Sequence, residues 1–419
     1  MDTIKLADIN EKVVALIKGI HILPVISWPL SSEKEFLATW DQKNPKFPKI
    51  EYPKVSHKDR IDELQKILRS FTAEHPLEQF TQSTIESYIT AARMIETVGT
   101  LDFQKYSIEI YGQPGDIITG SSLTHTVVAE RILHISQTFT HSYIHEPELC
   151  ELAQTVASFL QENVHQHFGN KGPVVELNNK ISAKATAGAR SVKIRPASSF
   201  TRYDAKQLLV HEVMTHSLTA INGLNQKILK VLGWGSPRTT GTQEGLATFA
   251  EVITGAIDLR RLARLAQRVV AIDAALKGAD FMDLFKMFIN YGNSPKESYW
   301  SAARIFRGGY PDKPIIFTKD GVYIDGLIKV HTLFRWALMS RRLSLTHLLF
   351  CGRVTIEDLF LLENSFAEGL IDPPEFLPEW YTRIESLAGI LSFFQITSAI
   401  DQSNIESYFE KKATHQQGG

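Results

Sequence analysis

Hydrophobic positions recur at helical spacing through most of the chain. Between residue 1 and about residue 110, the runs IDELQKILRSFT and STIESYITAARMIETVG carry heptad-like apolar spacing and predict helices, joined by a proline-containing loop around Trp40 to Lys54. Helical spacing resumes after Tyr111-Gly112-Gln113-Pro114 in HTVVAERILHISQTF and PELCELAQTVASFLQENVHQHF, and Gly169, Gly172 and Pro173 bring it to a stop. The period then changes. VVELNNKISAKATAGARSVKIRP alternates and carries β-branched residues, which predicts two or three short strands from Val174 to Ile194, ended by Pro196.

Thr201 and Asp204 have the spacing of a capping box, which opens a helix through YDAKQLLVHEVMTHSLTAI with Gly223 as its expected end. A Gly, Pro and Thr-rich loop, GWGSPRTTGT, leads into a long helical pattern from Gln243 into the 270s. Further helices are expected over Phe281 to Tyr291 and Lys296 to Phe306. Gly308, Gly309 and Pro311 interrupt the pattern before IIFTKDGVYIDG, which reads as a hairpin or extended loop, and the remainder is helical around DPPEFLPEW. No internal repeat is present. The fold class expected is therefore α+β, mostly α, with a small mixed or antiparallel sheet.

A length of 419 residues suggests two or three lobes. We expect an N-terminal helical lobe over residues 1–90 and a second, catalytic body over 91–419, containing the sheet (about 174–195), one helix over about 202–222 and another from about 243. Lys and Arg total 45 against 46 Asp and Glu, a formal charge of −1, so there is no global field to attract nucleic acid or an anionic membrane. The first thirty residues interleave charge with an apolar stretch broken by Lys18, His21 and prolines. No signal peptide or membrane span is expected there, and a cytoplasmic location follows, with non-Sec export left open. Two cysteines, Cys150 and Cys351, make no disulfide framework. Fourteen histidines are the feature of the composition that can carry chemistry.

Two of them lie in His211-Glu212-Val213-Met214-Thr215-His216, an HExxxH. It is one residue longer than the HExxH in which two histidines share a helix face with a Glu between them. Five residues at about 100° each leave the two imidazoles about 140° apart on a regular α-helix, whereas a π-type turn with i→i+5 bonding would bring them together. A bulge between Glu212 and His216 is therefore predicted. A catalytic zinc needs three protein ligands and an open position, and Glu244 and Glu251 in TQEGLATFAE lie seven residues apart on one helix face. Either could reach the metal while the other orients an imidazole. Glu244 is the favoured ligand because it follows a flexible loop and has Gly245 beside it to let the two helices approach, which leaves Glu251 to orient a histidine. Glu212 is placed to act as general base toward zinc-activated water.

HEVMTHSLTAINGLNQ followed by TQEGLATFAE resembles the QEGLA-motif proteins of bacteria, related to the microtubule-associated tyrosine carboxypeptidases of animals, a zincin-like metallopeptidase family with an HExxxH site. GTLDFQKYSIEIYGQP, AKATAGARSVKIRP, ARIFRGGYP, FTKDGVYIDGLIKVH and GLIDPPEFLPEW are similar to family landmarks in the same order, over roughly residues 90 to 380. The resemblance implies His211, His216 and Glu244 as Zn2+ ligands and Glu212 as the catalytic carboxylate. It implies a carboxypeptidase acting on a peptide or protein C-terminus, releasing Tyr or Phe. A zinc endopeptidase, and a non-catalytic metal-binding interaction protein, are the alternatives.

Such an enzyme must recognise a free α-carboxylate, and a fixed cation does so economically. Arg304 and Arg307, three apart before a glycine break, Lys319, and Tyr323 or His331 for the oxyanion are the candidates. Lys193 and Arg195 could line the same cleft, and the stretch Val174 to Ala187 could pair with an extended peptide. His141 with His145, and His165 with His167, read as surface or packing residues.

Overall fold

The computed structural model describes residues 2–142, 151–181, 183–198, 200–401 and 407–408. His145 and Cys150, and the side chain of His141, lie outside the described residues. Two compact units are present, Met1–Leu377 and Pro378–Gly419. The second contains the short helix Glu379–Thr382 and the helix Ile384–Thr397, which leaves Phe393, Phe394 and Ile396 exposed.

Among the described residues the first unit is mostly helical with one three-stranded sheet, so the α+β, mostly α class holds. Strands β1 (Val174–Leu177), β2 (Ala185–Ala187) and β3 (Ser191–Ile194) lie in the order β1-β3-β2. The sheet is mixed. β1 runs parallel to β3 with Val174 opposite Ser191, and β2 runs antiparallel with Ala185 opposite Ile194. Val192 and Ile194 of the central strand are buried, as period-2 alternation requires of a sheet with one covered face.

The helices of residues 1–90 share their core with later segments. Trp28 and Phe36 are buried with Phe281, Phe285 and Tyr299, and Trp28 Nε1 donates to Tyr52 Oη at 2.9 Å and to the Phe306 carbonyl at 3.1 Å. Residues Thr3–Asp41 include a window of mean hydropathy 1.7, long and apolar enough to cross a membrane by length and composition, contrary to the expectation from its charges. In the fold this stretch is three helices, Thr3–Ile17, Ile22–Ile26 and Ser31–Asp41, with Val13, Ile17, Ile26 and Phe36 buried.

Thr201 and Asp204 form the expected capping box, and the helix they open runs as Arg202–Leu208, Leu209–Ser217 and Leu218–Leu224. It ends beyond Gly223. That glycine is needed for packing instead, since a Cβ there would meet the Leu232 carbonyl carbon at 2.5 Å. The segment IIFTKDGVYIDG is neither hairpin nor extended loop: Thr318–Gly321 is a 3₁₀ turn, and Val322 begins a helix running to Met339. Gly326 is the point where this helix meets the helix Thr240–Ile253. Cβ atoms at Gly245 or Gly326 would come within 2.3 Å and 2.1 Å of the opposite backbone. Gly245 thus admits the helix Val322–Met339, not the histidine-bearing helix expected as its neighbour.

Gly245→Ala should therefore destabilise the protein by about 1–3 kcal/mol through overpacking. Gly241→Ala, four residues earlier on the same helix with nothing within 4 Å of its added methyl, should be neutral or stabilising by up to about 1 kcal/mol. Urea unfolding of both variants checks this; equal effects would refute it.

Candidate metal centre

The nine residues Leu209–Ser217 form a π-helix spanning the HExxxH. With i→i+5 bonding, residues five apart stack, so His211 and His216 face one another, their ring centroids 4.8 Å apart and their planes at 89°. The wider turn leaves carbonyls to be satisfied. Thr215 Oγ1 donates to the Val210 carbonyl at 3.0 Å, and Thr219 Oγ1 donates to the Thr215 carbonyl at 2.8 Å.

Both imidazoles turn Nε2 toward one atom, Glu244 Oε2, at 3.4 Å from His211 and 3.6 Å from His216. That oxygen is buried and accepts no hydrogen bond among the described residues. The other carboxylate oxygen accepts from Lys319 Nζ at 3.3 Å. Burial opposes the charge of Glu244, but Lys319 and the two histidines outweigh it and hold the carboxyl well below the usual range. One ligand atom from each of His211, His216 and Glu244 lies within 4.8 Å of the others. Tetrahedral donors about 2.0–2.1 Å from a zinc ion stand about 3.3 Å apart, so two imidazole nitrogens and an orphaned carboxylate oxygen at this spacing suit such an ion.

Behind the cluster, Glu251 is fully buried and collects three donors. Its Oε1 lies 2.6 Å from His211 Nδ1 and accepts from Gln207 Nε2 at 2.8 Å and Arg261 Nη2 at 3.2 Å. Arg261, together with His211, holds the Glu251 pKa at about 2 against the pull of burial. An ionised carboxylate can only accept, so His211 donates through Nδ1 and turns Nε2 toward the cluster, where a metal ion would take the place of the Nε2 proton. Burial alone would lower the imidazole pKa; Glu244 and Glu251 push it up to about 10.

The cluster borders a cavity of about 430 Å³ lined by His216, Glu244, Lys319, Arg353, Tyr88 and Ala187 among others. Ala187 belongs to the edge strand β2, and Ser217 Oγ donates to the Gly188 carbonyl at 2.9 Å, which ties the end of that strand to the π-helix. Glu212 is half-buried, forms no hydrogen bond among the described residues, and its charge bears on His211 and Arg353. A second cavity of about 600 Å³, lined by His125, Asp325 and Trp336 among others, includes none of the three clustered side chains.

Of the cations expected to meet a carboxylate, Lys319 lines the first cavity, and its Nζ stands 5.7 Å from the Tyr323 ring centroid. Arg304 and Arg307 do not line it. The helix Pro295–Ile305 ends between them, so they share no helical face, and Arg304 is committed to Asp320 through Nε at 2.6 Å and Nη2 at 2.7 Å. Arg307 is buried beside that pair, its pKa down to about 10 through burial and the neighbouring Arg304. His331 is not at the cluster either: its ring lies 6.3 Å from Phe249, and burial lowers its pKa. Lys193 lies 3.9 Å from Glu176 and Arg195 donates to Ser198 Oγ at 2.9 Å, both away from the cavity. Arg353 and Tyr88 reach it from distant segments and were not legible as site residues, because nothing in their local sequence marks them.

The family model for the microtubule-associated tyrosine carboxypeptidase matches residues 34–399. The chain is 24% identical over 268 residues to the Mus musculus microtubule-associated tyrosine carboxypeptidase 1, covering 61% of this chain and 53% of that protein. It is 25% identical over 232 residues to the Mus musculus protein provisionally named tyrosine carboxypeptidase MATCAP2, covering 54% of this chain and 42% of that one. The chain thus spans about half the length of the curated relatives it matches. Among solved structures, a protein described as a lipoprotein from Colwellia psychrerythraea aligns with a TM-score of 0.46 and 15% identity over 88% of this chain and 75% of that one.

The Arg304–Asp320 pair tests how charge is held in the interior. Asp320 is buried and also lies 3.7 Å from Arg268, and burial notwithstanding, these arginines lower its pKa below the ordinary 3.8. Asp320→Asn strands their charges and should cost about 3–5 kcal/mol at pH 7. A carboxyl whose folded pKa lies below its unfolded value contributes stability above the unfolded value and loses it as pH falls toward the folded one. The gap between wild type and variant in denaturant unfolding should therefore narrow only below about pH 4. A gap under about 1 kcal/mol at pH 7 would refute the assignment.

Proposed function

This chain belongs to the microtubule-associated tyrosine carboxypeptidase family, and from that premise we propose that it is a zinc-dependent metallocarboxypeptidase that hydrolyses the C-terminal peptide bond and releases Tyr or Phe. The observation that carries the reading is the convergence of His211 Nε2, His216 Nε2 and an otherwise unpartnered, buried Glu244 Oε2 beside a cavity. A zincin-like catalytic body goes with it. His211, His216 and Glu244 hold the ion. When bound, zinc polarises the scissile carbonyl and makes water acidic enough to lose a proton near neutral pH.

The chain's own residues do the rest. Glu251 keeps His211 in the tautomer that offers Nε2, and Lys319 keeps Glu244 ionised. Glu212, adjacent to a ligand and with no competing hydrogen bond among the described residues, takes the proton from water and hands it to the leaving amine as the C–N bond breaks. Strand β2, at the sheet edge beside the cavity, has one side unpaired by another strand among the described residues, along which an extended peptide can lie.

The purified protein should contain zinc at near-unit stoichiometry, lost in a His211→Ala, His216→Ala double variant. Glu212→Gln should keep the metal and lose about 10²–10⁴-fold in cleavage of peptides ending in Tyr or Phe. Amidating the peptide C-terminus should abolish turnover by the wild type. Cleavage that survives amidation would establish an endopeptidase instead, and full activity in Glu212→Gln would overturn the base assignment.

A further inference from the structure

Charge around the 430 Å³ cavity does not balance. Its lining includes one carboxylate, Glu244, and that group is already engaged by Lys319, His211 and His216. Arg353 lines the same cavity and forms no ion pair with a carboxylate among the described residues. Its hydrogen bonds run to two backbone carbonyls, Trp234 at 3.3 Å and His216 at 3.4 Å, both long for charge-assisted contacts, and its Nε is buried without a partner among the described residues. Burial lowers its pKa, and the charges of Glu244 and Glu212 offset that only in part.

The surrounding chain is shaped to hold this side chain in place. Arg353 N donates to the Leu232 carbonyl at 2.9 Å, fixing the segment to the turn Lys230–Gly233. At Gly235, whose φ is +68°, a Cβ would meet Arg353 Cδ at 2.6 Å, so only glycine leaves room for the stem to cross that backbone. Tyr88 Oη donates to the Gly235 carbonyl at 2.9 Å and secures the turn from the other side. The result is a half-buried, planar donor fork, held against the carbonyl of a clustered histidine and facing a cavity whose one lining carboxylate, Glu244, is already engaged.

We infer that Arg353 receives the free α-carboxylate of the substrate, and so selects for the last residue of a peptide. This rests on the carboxypeptidase reading above and identifies the residue that makes it an exopeptidase. The arginine fork matches a carboxylate in two parallel N–H···O bonds, which a C-terminal amide cannot reproduce.

Binding separates this inference from catalysis. Isothermal titration calorimetry of the zinc-loaded Glu212→Gln protein with N-acetyl-tyrosine and with N-acetyl-tyrosinamide should show the acid binding about 10- to 100-fold tighter. Adding Arg353→Gln should bring the acid to the affinity of the amide while leaving the amide unchanged. Arg353→Lys, which keeps the charge but not the fork, should restore part of the preference, with circular dichroism and the unfolding midpoint establishing that both variants fold. An acid preference that persists in Arg353→Gln, or no preference in the Arg353-containing protein, would overturn the assignment. If hydrolysis is never observed yet the acid preference depends on Arg353, the hydrolytic reading fails and the carboxylate site stands.

Discussion

The candidate centre depends on one departure from α-helical geometry. Over Leu209–Ser217 the backbone bonds i→i+5, and only that pitch places two imidazoles five residues apart on the same side. On an α-helix His216 would lie about 140° around the axis from His211, and no third side chain could meet both at one point. The irregular segment is partly buried and supported by Thr215 and Thr219, whose hydroxyls satisfy carbonyls within it.

A second constraint is the burial of charge. Glu244, Glu251 and Asp320 are largely excluded from water, and each is ionised because cations from other segments face it: Lys319 for the first, Arg261 for the second, Arg304 and Arg268 for the third. An unpaired charge in such surroundings would be strongly unfavourable, so these contacts tie the helix Thr240–Ile253 to the helices Leu259–Leu276 and Pro295–Ile305 and the turn Thr318–Gly321. Stability and site geometry come from the same interactions. The backbone contact through Gly245 and Gly326 adds to this, because it brings the segment carrying Lys319 and Tyr323 beside the helix of Glu244.

Much of the centre is legible in the sequence. The HExxxH spacing implied the π-turn, and the seven-residue separation of Glu244 and Glu251 on one helix suggested that one would meet the histidines and the other would stand behind one of them, as their contacts with His211 now place them. Arg304, Arg307 and His331 illustrate the opposite case. Each was plausible by charge and local spacing, but Asp320 occupies Arg304, a helix end separates Arg307 from it, and His331 packs near Phe249.

Local sequence by itself determined what short-range physics controls: helices from apolar periodicity, the Thr201–Asp204 cap, short strands between Val174 and Ile194, and the pitch demanded by two histidines five apart. Tertiary structure alone decided which buried cation faces which carboxylate, and therefore which charges remain for a ligand. Arg353 meets His216 from 137 residues away along the chain, and Arg304 meets Asp320 across a helix end and a turn. Electrostatic pairing depends on distance through space and exclusion of water, and neither has a signature in the spacing of residues along the chain.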